Sequence, residues 1–211
     1  GSPDGWADPS FTVGHIPALQ NSGKYGLLVG NCCSTSEYEV GECFGEAIVR
    51  AANKGAVGYI GASNSTYWDE DYYWAIGVGP VALNPTYEST GPGALDRLFH
   101  THGESASEWY TTMGQVNYAG NLAVSGSTST RKKYYWETYT LLGDPSVIPY
   151  IGTPDTLNVE LPDTLPNGME SLSLTLPPFT YVAISQHDTL WDATHASPSG
   201  SAILELPGVS D

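Results

Sequence analysis

The sequence predicts an α/β domain built on a parallel sheet, followed by an all-β sandwich domain. Two apolar runs, Tyr25–Gly30 and Ala56–Gly61, are bounded by turn residues, as strands buried on both faces are. Between them, Cys43–Ala51 carries apolar residues at helical spacing. A strand, a helix and a strand in this order predict a βαβ unit. After Pro149, short alternating runs punctuated by Pro, Ser and Thr are typical of a β-sandwich.

The βαβ unit predicts where a ligand would bind. In open α/β sheets, ligands bind beyond the carboxyl ends of the strands. Cys33 follows the first strand and the stretch Ala62–Asp71 follows the second, so we expect both in one crevice. Further helices, packed on the sheet, are predicted over Leu95–His100, Ser105–Leu122 and Tyr134–Leu142.

The change in character places the domain boundary near Gly152, with residues 1–151 in the α/β domain and 152–211 in the sandwich. An immunoglobulin-like sandwich needs about 100 residues. The second domain is therefore expected to be either unusually small or incomplete. Its predicted strands are Leu157–Leu161, Leu172–Leu176, Tyr181–Ser185 and Ala202–Leu206.

The composition is strongly acidic, with 23 Asp and Glu against 7 Lys and Arg. So few cations argue against nucleic acid or an anionic membrane surface as a partner, and they favour a basic substrate. Bound calcium would relieve the repulsion between carboxylates, although solubility alone is the simpler interpretation. The sequence contains no run of about 18 apolar residues, which is the length needed to span a bilayer. Abundant Tyr, Trp, Gly, Ser and Thr with scarce Lys suggest an extracellular protein.

The three cysteines exclude a framework of several disulfides and leave at least one thiol unpaired. Cys43 belongs to the apolar face of its helix and is predicted to be core. Cys32 and Cys33 should point to opposite sides, one into the core and one into a site. Cys33 ends a buried strand beside an expected helix N-terminus, two features of a nucleophilic thiol. The alternative is a small buried hydrophobic residue.

Several motifs rich in Trp, Cys and Gly make the first 150 residues recognisable. They include Trp6-Ala-Asp-Pro9, Gly30-Asn-Cys-Cys33, Cys43-Phe-Gly-Glu46, Glu70-Asp-Tyr-Tyr-Trp74 and Leu142-Gly-Asp144. In order and spacing they resemble the gingipain-type cysteine peptidases, in particular the lysine-specific kind. The resemblance continues more weakly through Tyr181–Ser185. It implies a caspase-like peptidase domain followed by part of an immunoglobulin-like domain.

The resemblance implies a Cys-His dyad in which Cys33 attacks the scissile carbonyl. The family's histidine belongs to a His-Gly-Ser motif, so its expected position is immediately before Gly1, and residues 1–211 alone are expected not to turn over peptides. The amides of Gly1 and Cys33 would form the oxyanion hole. Five histidines match no catalytic position and are assigned to surface or packing roles: His15, His100, His102, His187 and His195.

The resemblance also implies the residues that select the substrate. Asp71 matches the acid that receives a lysine ammonium at the base of the S1 pocket, and Trp68 matches a wall of that pocket. Without the resemblance, 69–71 would be interpreted as a solvated acidic turn. Glu46 matches a helix carboxylate that can ligate structural calcium, but an i,i+4 ion pair with Arg50 explains it equally well.

Together these features predict a secreted or cell-surface, bacterial-type cysteine endopeptidase that cleaves after lysine. Its expected partners are polypeptides with lysine before the scissile bond and the remainder of the catalytic domain. One alternative is a catalytically inactive adhesion or binding module on the same scaffold. The other is a peptidase with arginine or mixed specificity.

Overall fold

The computed structural model describes residues 1–99, 102–105, 108–151 and 156–207. It divides into two compact units, Gly1–Thr153 and Pro154–Asp211. The predicted helix over Leu95–His100 is found as Ala94–Phe99, and its last residue, His100, lies outside the described residues. No helix among the described ranges is long and apolar enough to cross a membrane.

The first unit mixes short strands with helices. Its strands are β1 Gly5–Ala7, β2 Ser10–Thr12, β3 Leu27–Gly30, β4 Gly58–Ala62 and β5 Tyr139–Gly143. Its α-helices are α1 Phe44–Arg50, α2 Trp68–Ala75, α3 Ala94–Phe99, α4 Met113–Gly126 and α5 Lys132–Thr138. Among the described residues, Val13–Ala18 and Tyr87–Ser89 form 3-10 helices.

A three-stranded sheet in the order β3-β4-β5 organises this unit. Strands β3 and β4 pair in parallel, from Leu27 opposite Gly58 to Gly30 opposite Gly61, and α1 lies between them in the sequence. Strand β5 pairs antiparallel with β4. The unit therefore contains a βαβ arrangement with an antiparallel strand added at one edge.

The single helix predicted over Tyr134–Leu142 is wrong in its second half. Helix α5 ends at Thr138, and the next five residues form β5. Leu141 pairs with Ile60 of β4 and packs against the core beneath the sheet. Tertiary pairing with β4 thus overrides the local pattern, since a strand here satisfies the backbone of an exposed sheet edge.

Helix α4 begins later than the prediction over Ser105–Leu122, at Met113. The hydroxyl of Thr112 accepts the backbone N–H of Gln115, while the Gln115 side chain accepts the backbone N–H of Thr112. This capping box fixes the helix start because it satisfies amides that have no partner inside the helix.

Strand β4 is buried along its whole length and separates two apolar clusters. On one side Tyr59 packs with Phe44 and Ile48 of α1. On the other, Ile60 packs in a cluster that contains Trp74 of α2 and residues of α4 and β5. A strand covered on both faces matches the continuous apolar run that predicted it.

The second unit is all-β in its described regular elements. Its strands are β6 Ser171–Thr175, β7 Tyr181–Gln186, β8 Thr189–His195 and β9 Ser201–Glu205. They form two antiparallel pairs, β6 with β9 and β7 with β8. Alternate residues such as Leu172, Leu174 and Leu204 form the core. The predicted strand Leu157–Leu161 is not a strand, and β8 was not predicted.

Helix α4 offers a matched pair of glycines for a stability test. A Cβ on Gly120 would lie 2.1 Å from the buried Trp74 ring, whereas one on Gly126 would meet nothing within 4 Å. Overpacking of this kind costs about 1–3 kcal/mol, more than the ~1 kcal/mol that alanine gains over glycine in a helix. Gly120→Ala is therefore expected to lower the free energy of unfolding measured in urea. Gly126→Ala is expected to leave it unchanged or raise it, and equal effects would contradict this packing.

Candidate active site

The carboxyl end of β3 delivers the cysteine pair to the edge of the sheet. The N–H of Cys32 donates to the carbonyl of Gly30 at 2.8 Å, and Ser34 adopts a left-handed φ of 58°. The N–H of Ser34 then donates to the carbonyl of Asn64, in the stretch that follows β4. The chain after β3 and the chain after β4 are thereby joined, as expected from two parallel strands.

The sulfur of Cys33 is half-buried, and its hydrogen-bond contacts within the described residues are with Thr66. The backbone N–H of Thr66 donates to Sγ at 3.2 Å. The Thr66 hydroxyl lies 3.6 Å from Sγ and the Thr66 carbonyl 3.7 Å. An N–H aimed at sulfur stabilises negative charge on it, and the two oxygens can accept from the thiol.

The expected helix N-terminus beside Cys33 is not observed. Residues 31–42 form turns and bends, and α1 begins only at Phe44 with Cys43 as its N-cap. The electropositive contribution at the Cys33 sulfur comes from the Thr66 amide instead. Cys43 is fully buried, as predicted for a core residue.

Asp71 lies in the first turn of α2, which begins at Trp68, within the stretch Ala62–Asp71 that follows β4. Three hydroxyls contact its carboxylate. Thr66 donates to Oδ2 at 2.6 Å, while Tyr135 and Tyr139 each lie 2.8 Å from Oδ1. The carboxylate is therefore held from the loop after β4, from α5 and from β5.

The electrostatics of this cluster follow from its burial. Desolvation raises the pKa of Asp71 above 3.8, and hydrogen bonds from Thr66, Tyr135 and Tyr139 offset that rise only in part. Burial and the Asp71 charge raise the pKa of both Tyr135 and Tyr139. Both phenols therefore stay protonated near neutral pH and can donate to the carboxylate.

Asn31 connects Asp71 to the cysteine loop. Its side-chain amide donates to the backbone carbonyl of Asp71 at 2.9 Å, and its side-chain oxygen contacts the hydroxyl of Tyr139. Because Asn31 directly precedes the cysteine pair, the start of α2 and the end of β3 are tied together.

The acidic turn 69–71 does not behave as one solvated patch. Asp69 is exposed, while Glu70 is buried and accepts from Ser129 at 2.5 Å and from Arg131 at 3.2 Å. Burial raises the pKa of Glu70, but these hydrogen bonds outweigh it and the net shift is downward. Asp71 is half-buried on the side of the cysteine loop.

Trp68 projects into solvent with 92% of its surface exposed. It follows Tyr67, whose ring lies under the Arg131 guanidinium at 3.8 Å and whose backbone N–H donates to Tyr135. The backbone next to Trp68 is therefore held in place through Tyr67, whereas the indole of Trp68 is exposed to solvent.

Gly1 lies against the backbone of the cysteine pair. A Cβ on Gly1 would stand 2.4 Å from the carbonyl oxygen of Cys33 and 2.7 Å from the sulfur of Cys32. Burial raises the pKa of the Cys32 thiol. Gly1 and Cys32 line a cavity of about 280 Å³ with Trp6, Ala7, Asp8, Val29 and Asn31.

Glu46 caps α1: its Oε2 accepts the backbone N–H of Cys43 at 3.0 Å, and this bond lowers its pKa. The predicted ion pair with Arg50 is not formed, because Arg50 reaches Glu42 at 2.9 Å instead. No group of three or more His, Cys, Asp or Glu side chains in the described parts of the chain could hold a metal ion. Calcium at Glu46 therefore stays a prediction, whose other ligands would have to be oxygens of another kind.

The histidines make local contacts. His15 stacks on Phe11, and His102 stacks on Tyr87 at 3.8 Å. In the second unit, His195 packs against Tyr181 and His187 occupies the β7–β8 turn with a φ of 48°. His100 lies outside the described residues. These contacts agree with surface and packing roles.

Sequence reasoning missed the partners that hold Asp71: Thr66, Tyr135 and Tyr139. Thr66 belongs to no motif or periodic pattern that could have identified it from the sequence. The two tyrosines were placed in one helix, and only the helix-to-strand change after Thr138 brings both hydroxyls to the same carboxylate oxygen. The tyrosine-rich run around Tyr134 was the one available signal.

A half-buried cysteine just beyond the carboxyl end of a parallel strand lies where a nucleophile of an α/β enzyme is expected. Residues 1–150 match the model of peptidase family C25. The chain is 40% identical to Lys-gingipain of Porphyromonas gingivalis ATCC 33277 and to Lys-gingipain W83, over 98% of this chain and 12% of each relative. The chain belongs to peptidase family C25, the gingipain family of cysteine peptidases.

Solved structures show the same fold. One described as a protease is 40% identical, with a TM-score of 0.84 over 98% of this chain and 46% of its own. The Arg-specific cysteine proteinase gingipain R is 19% identical, with a TM-score of 0.78 over 98% of this chain and 44% of its own. The chain thus spans less than half of these structures and about an eighth of the curated relatives. These neighbours support a caspase-like peptidase fold.

The burial of Asp71 predicts a pH-dependent stability. Because the folded-state pKa of Asp71 is raised, the unfolded chain ionises first as the pH rises above 3.8, and desolvation of the charge then opposes folding. Asp71→Asn is therefore expected to raise the melting temperature relative to the natural protein, by an amount that grows as the pH rises above 3.8 and levels off once the carboxyl of the folded protein has ionised as well. Asp69→Asn, at the exposed neighbour, is the matched control. A difference for Asp71→Asn that shrinks with rising pH would contradict a desolvated carboxylate.

Proposed function

We propose that the protein containing this chain is a cysteine endopeptidase that hydrolyses peptide bonds after lysine. The observation that carries the proposal is the contact of one residue, Thr66, with both the Cys33 sulfur and the Asp71 carboxylate. The proposed nucleophile and the carboxylate proposed to bind a basic side chain thus both contact the same residue, Thr66. The 40% identity to Lys-gingipain adds to this.

The proposed chemistry starts with loss of the Cys33 thiol proton to a general base. The sulfur then bonds to the scissile carbonyl carbon, the C–N bond breaks, and the leaving amine takes the proton. Water next attacks the thioester, releasing the carboxylic acid and restoring the thiol. The base is proposed to be a histidine immediately ahead of Gly1, supported by the position of Gly1 on the Cys33 backbone. Residues 1–211 alone are then expected to be inactive.

The same position of Gly1 supports its proposed part in catalysis. Its backbone lies against the Cys33 carbonyl, and a side chain there would collide with the cysteine pair. With the backbone N–H of Cys33, the amide of Gly1 would donate to the oxyanion of the tetrahedral intermediate.

The S1 pocket is proposed to end at Asp71. An ionised carboxylate has about four acceptor sites, and the three hydroxyls of Thr66, Tyr135 and Tyr139 leave room for an ammonium. A lysine charge would also compensate the burial of the carboxylate. The exposed indole of Trp68 is free to cover the methylene stem.

The activity test compares lysyl and arginyl peptide substrates on the complete protein. Cys33→Ala is expected to abolish hydrolysis. Asp71→Asn is expected to lower kcat/KM for the lysyl substrate by about 30-fold or more, since a desolvated charge loses its partner. Asp69→Asn, one residue away and exposed, is the control and should match the natural protein.

Each alternative has its own outcome in this test. Preference for the arginyl substrate, or equal rates, would replace lysine specificity with arginine or mixed specificity. If Asp69→Asn lost the preference for the lysyl substrate, Asp69 rather than Asp71 would be the residue that selects lysine. No hydrolysis by the complete protein, with Cys33 unreactive toward a lysyl electrophile, would favour an inactive binding module.

The remaining parts of the proposal concern environment and organisation. A secreted or cell-surface location is supported by the acidic, lysine-poor composition. The second unit is proposed to be part of an immunoglobulin-like sandwich, supported by its two antiparallel strand pairs around a leucine-rich core. Polypeptides with lysine before the scissile bond are the proposed substrates, and the rest of the catalytic domain is the proposed partner.

Structural calcium at Glu46 is testable because Gln at this position keeps the helix cap and removes the charge. If Glu46 ligates calcium, the ion is expected to raise the melting temperature of the natural protein and to have a smaller effect on Glu46→Gln. Differential scanning calorimetry with calcium and with a chelator measures this. Equal responses of the two proteins would assign Glu46 to the cap alone.

A further inference from the structure

Thr66 is the one described residue whose side chain contacts both the proposed nucleophile and the proposed selecting acid. Its hydroxyl donates to Asp71 Oδ2 at 2.6 Å and lies 3.6 Å from Cys33 Sγ. Its backbone N–H donates to the same sulfur at 3.2 Å. The amide fixes the distance between Thr66 and Cys33, so the hydroxyl stays within reach of both partners.

A threonine hydroxyl has a single hydrogen and can donate it to only one acceptor at a time. With the pocket empty, the half-buried Asp71 carboxylate takes that hydrogen, because a hydrogen bond to a charged oxygen at 2.6 Å is stronger than one to sulfur at 3.6 Å. The Cys33 thiol can then donate its own hydrogen to the Thr66 oxygen, and no hydroxyl in the described part of the chain donates to the sulfur.

An ammonium group at Asp71 changes this balance. It neutralises the carboxylate and supplies new donors to it, so the hold of Asp71 on the Thr66 hydrogen weakens. Rotation about one side-chain bond then turns the hydroxyl from Oδ2 toward Sγ. The hydrogen remains bound to its own oxygen throughout, and a second donor joins the backbone N–H at the sulfur.

We propose that Thr66 is a positioning residue that couples occupancy of the S1 pocket to the reactivity of Cys33. Its hydroxyl faces Asp71 when the pocket is empty and stabilises the Cys33 thiolate when a basic side chain binds. A correct substrate thereby improves the nucleophile that attacks it. This inference rests on the function proposed above for Cys33 and Asp71.

Two substitutions at Thr66 separate the hydroxyl from the shape of the side chain. Thr66→Val keeps the branched shape and removes the hydroxyl, whereas Thr66→Ser keeps the hydroxyl. On the complete protein with a lysyl peptide substrate, Thr66→Val is expected to lower kcat about tenfold, with KM changed less than threefold. Thr66→Ser is expected to restore kcat to within about threefold of the natural protein.

The coupling itself is measured without substrate turnover. The probe is n-butylamine, which has the length of a lysine side chain, and the readout is the rate at which iodoacetamide alkylates Cys33, followed by mass spectrometry of the labelled peptide. The amine is expected to raise this rate several-fold in the natural protein and in Thr66→Ser, but not in Thr66→Val. Cys33→Ala supplies the background from Cys32.

The outcomes distinguish this inference from the function on which it rests. If the natural protein cleaves lysyl substrates in an Asp71-dependent way, but Thr66→Val keeps the amine-induced rise in alkylation, the coupling is overturned and the peptidase assignment stands. An unchanged alkylation rate in the natural protein, at amine concentrations that competitively inhibit lysyl cleavage, overturns it as well. Absence of both lysyl cleavage and amine binding overturns the proposed function together with the coupling.

Discussion

The physical constraint that shapes the candidate site is the compensation of one half-buried carboxylate. Asp71 is held by three hydroxyls from three separate elements: Thr66, Tyr135 and Tyr139. A charge withdrawn from water is tolerated only with such donors around it. The Asp71 carboxylate therefore has all its hydrogen-bond donors only when the loop after β4, helix α5 and strand β5 have reached their folded positions. The site thus depends on the tertiary arrangement of the whole sheet.

The sheet supplies that placement through close packing around β4. A Cβ on Gly30 would lie 1.8 Å from the hydroxyl of Tyr59, so the end of β3 passes over this ring only because residue 30 has no side chain. Burial raises the pKa of Tyr59 to about 12, so its hydroxyl stays protonated; it also accepts from the Trp6 indole. The path of the chain from β3 into the cysteine pair is thus determined by its close packing on the Tyr59 ring.

Much of this arrangement was readable from the sequence. The two strands and the helix between them follow from apolar runs and spacing, and their order places Cys33 and the start of α2 at one edge. The family was readable too, because motifs around Cys33 and Trp74 are long and rich in rare residues. One wrong prediction was local: Tyr139–Leu142 was assigned to a helix, because the pairing of β5 with β4 depends on residues about 80 positions earlier in the sequence.

The sequence by itself determined that a gingipain-type cysteine peptidase domain begins the chain, and it singled out Cys33 and an acidic turn. Only the tertiary structure decided what each acid in that turn does. Successive residues of a helix point about 100° apart, so Asp69 faces water, Glu70 meets Arg131, and Asp71 meets the hydroxyls beside the cysteine loop. Three adjacent carboxylates look alike in a sequence, and they differ only in what the folded chain places opposite them.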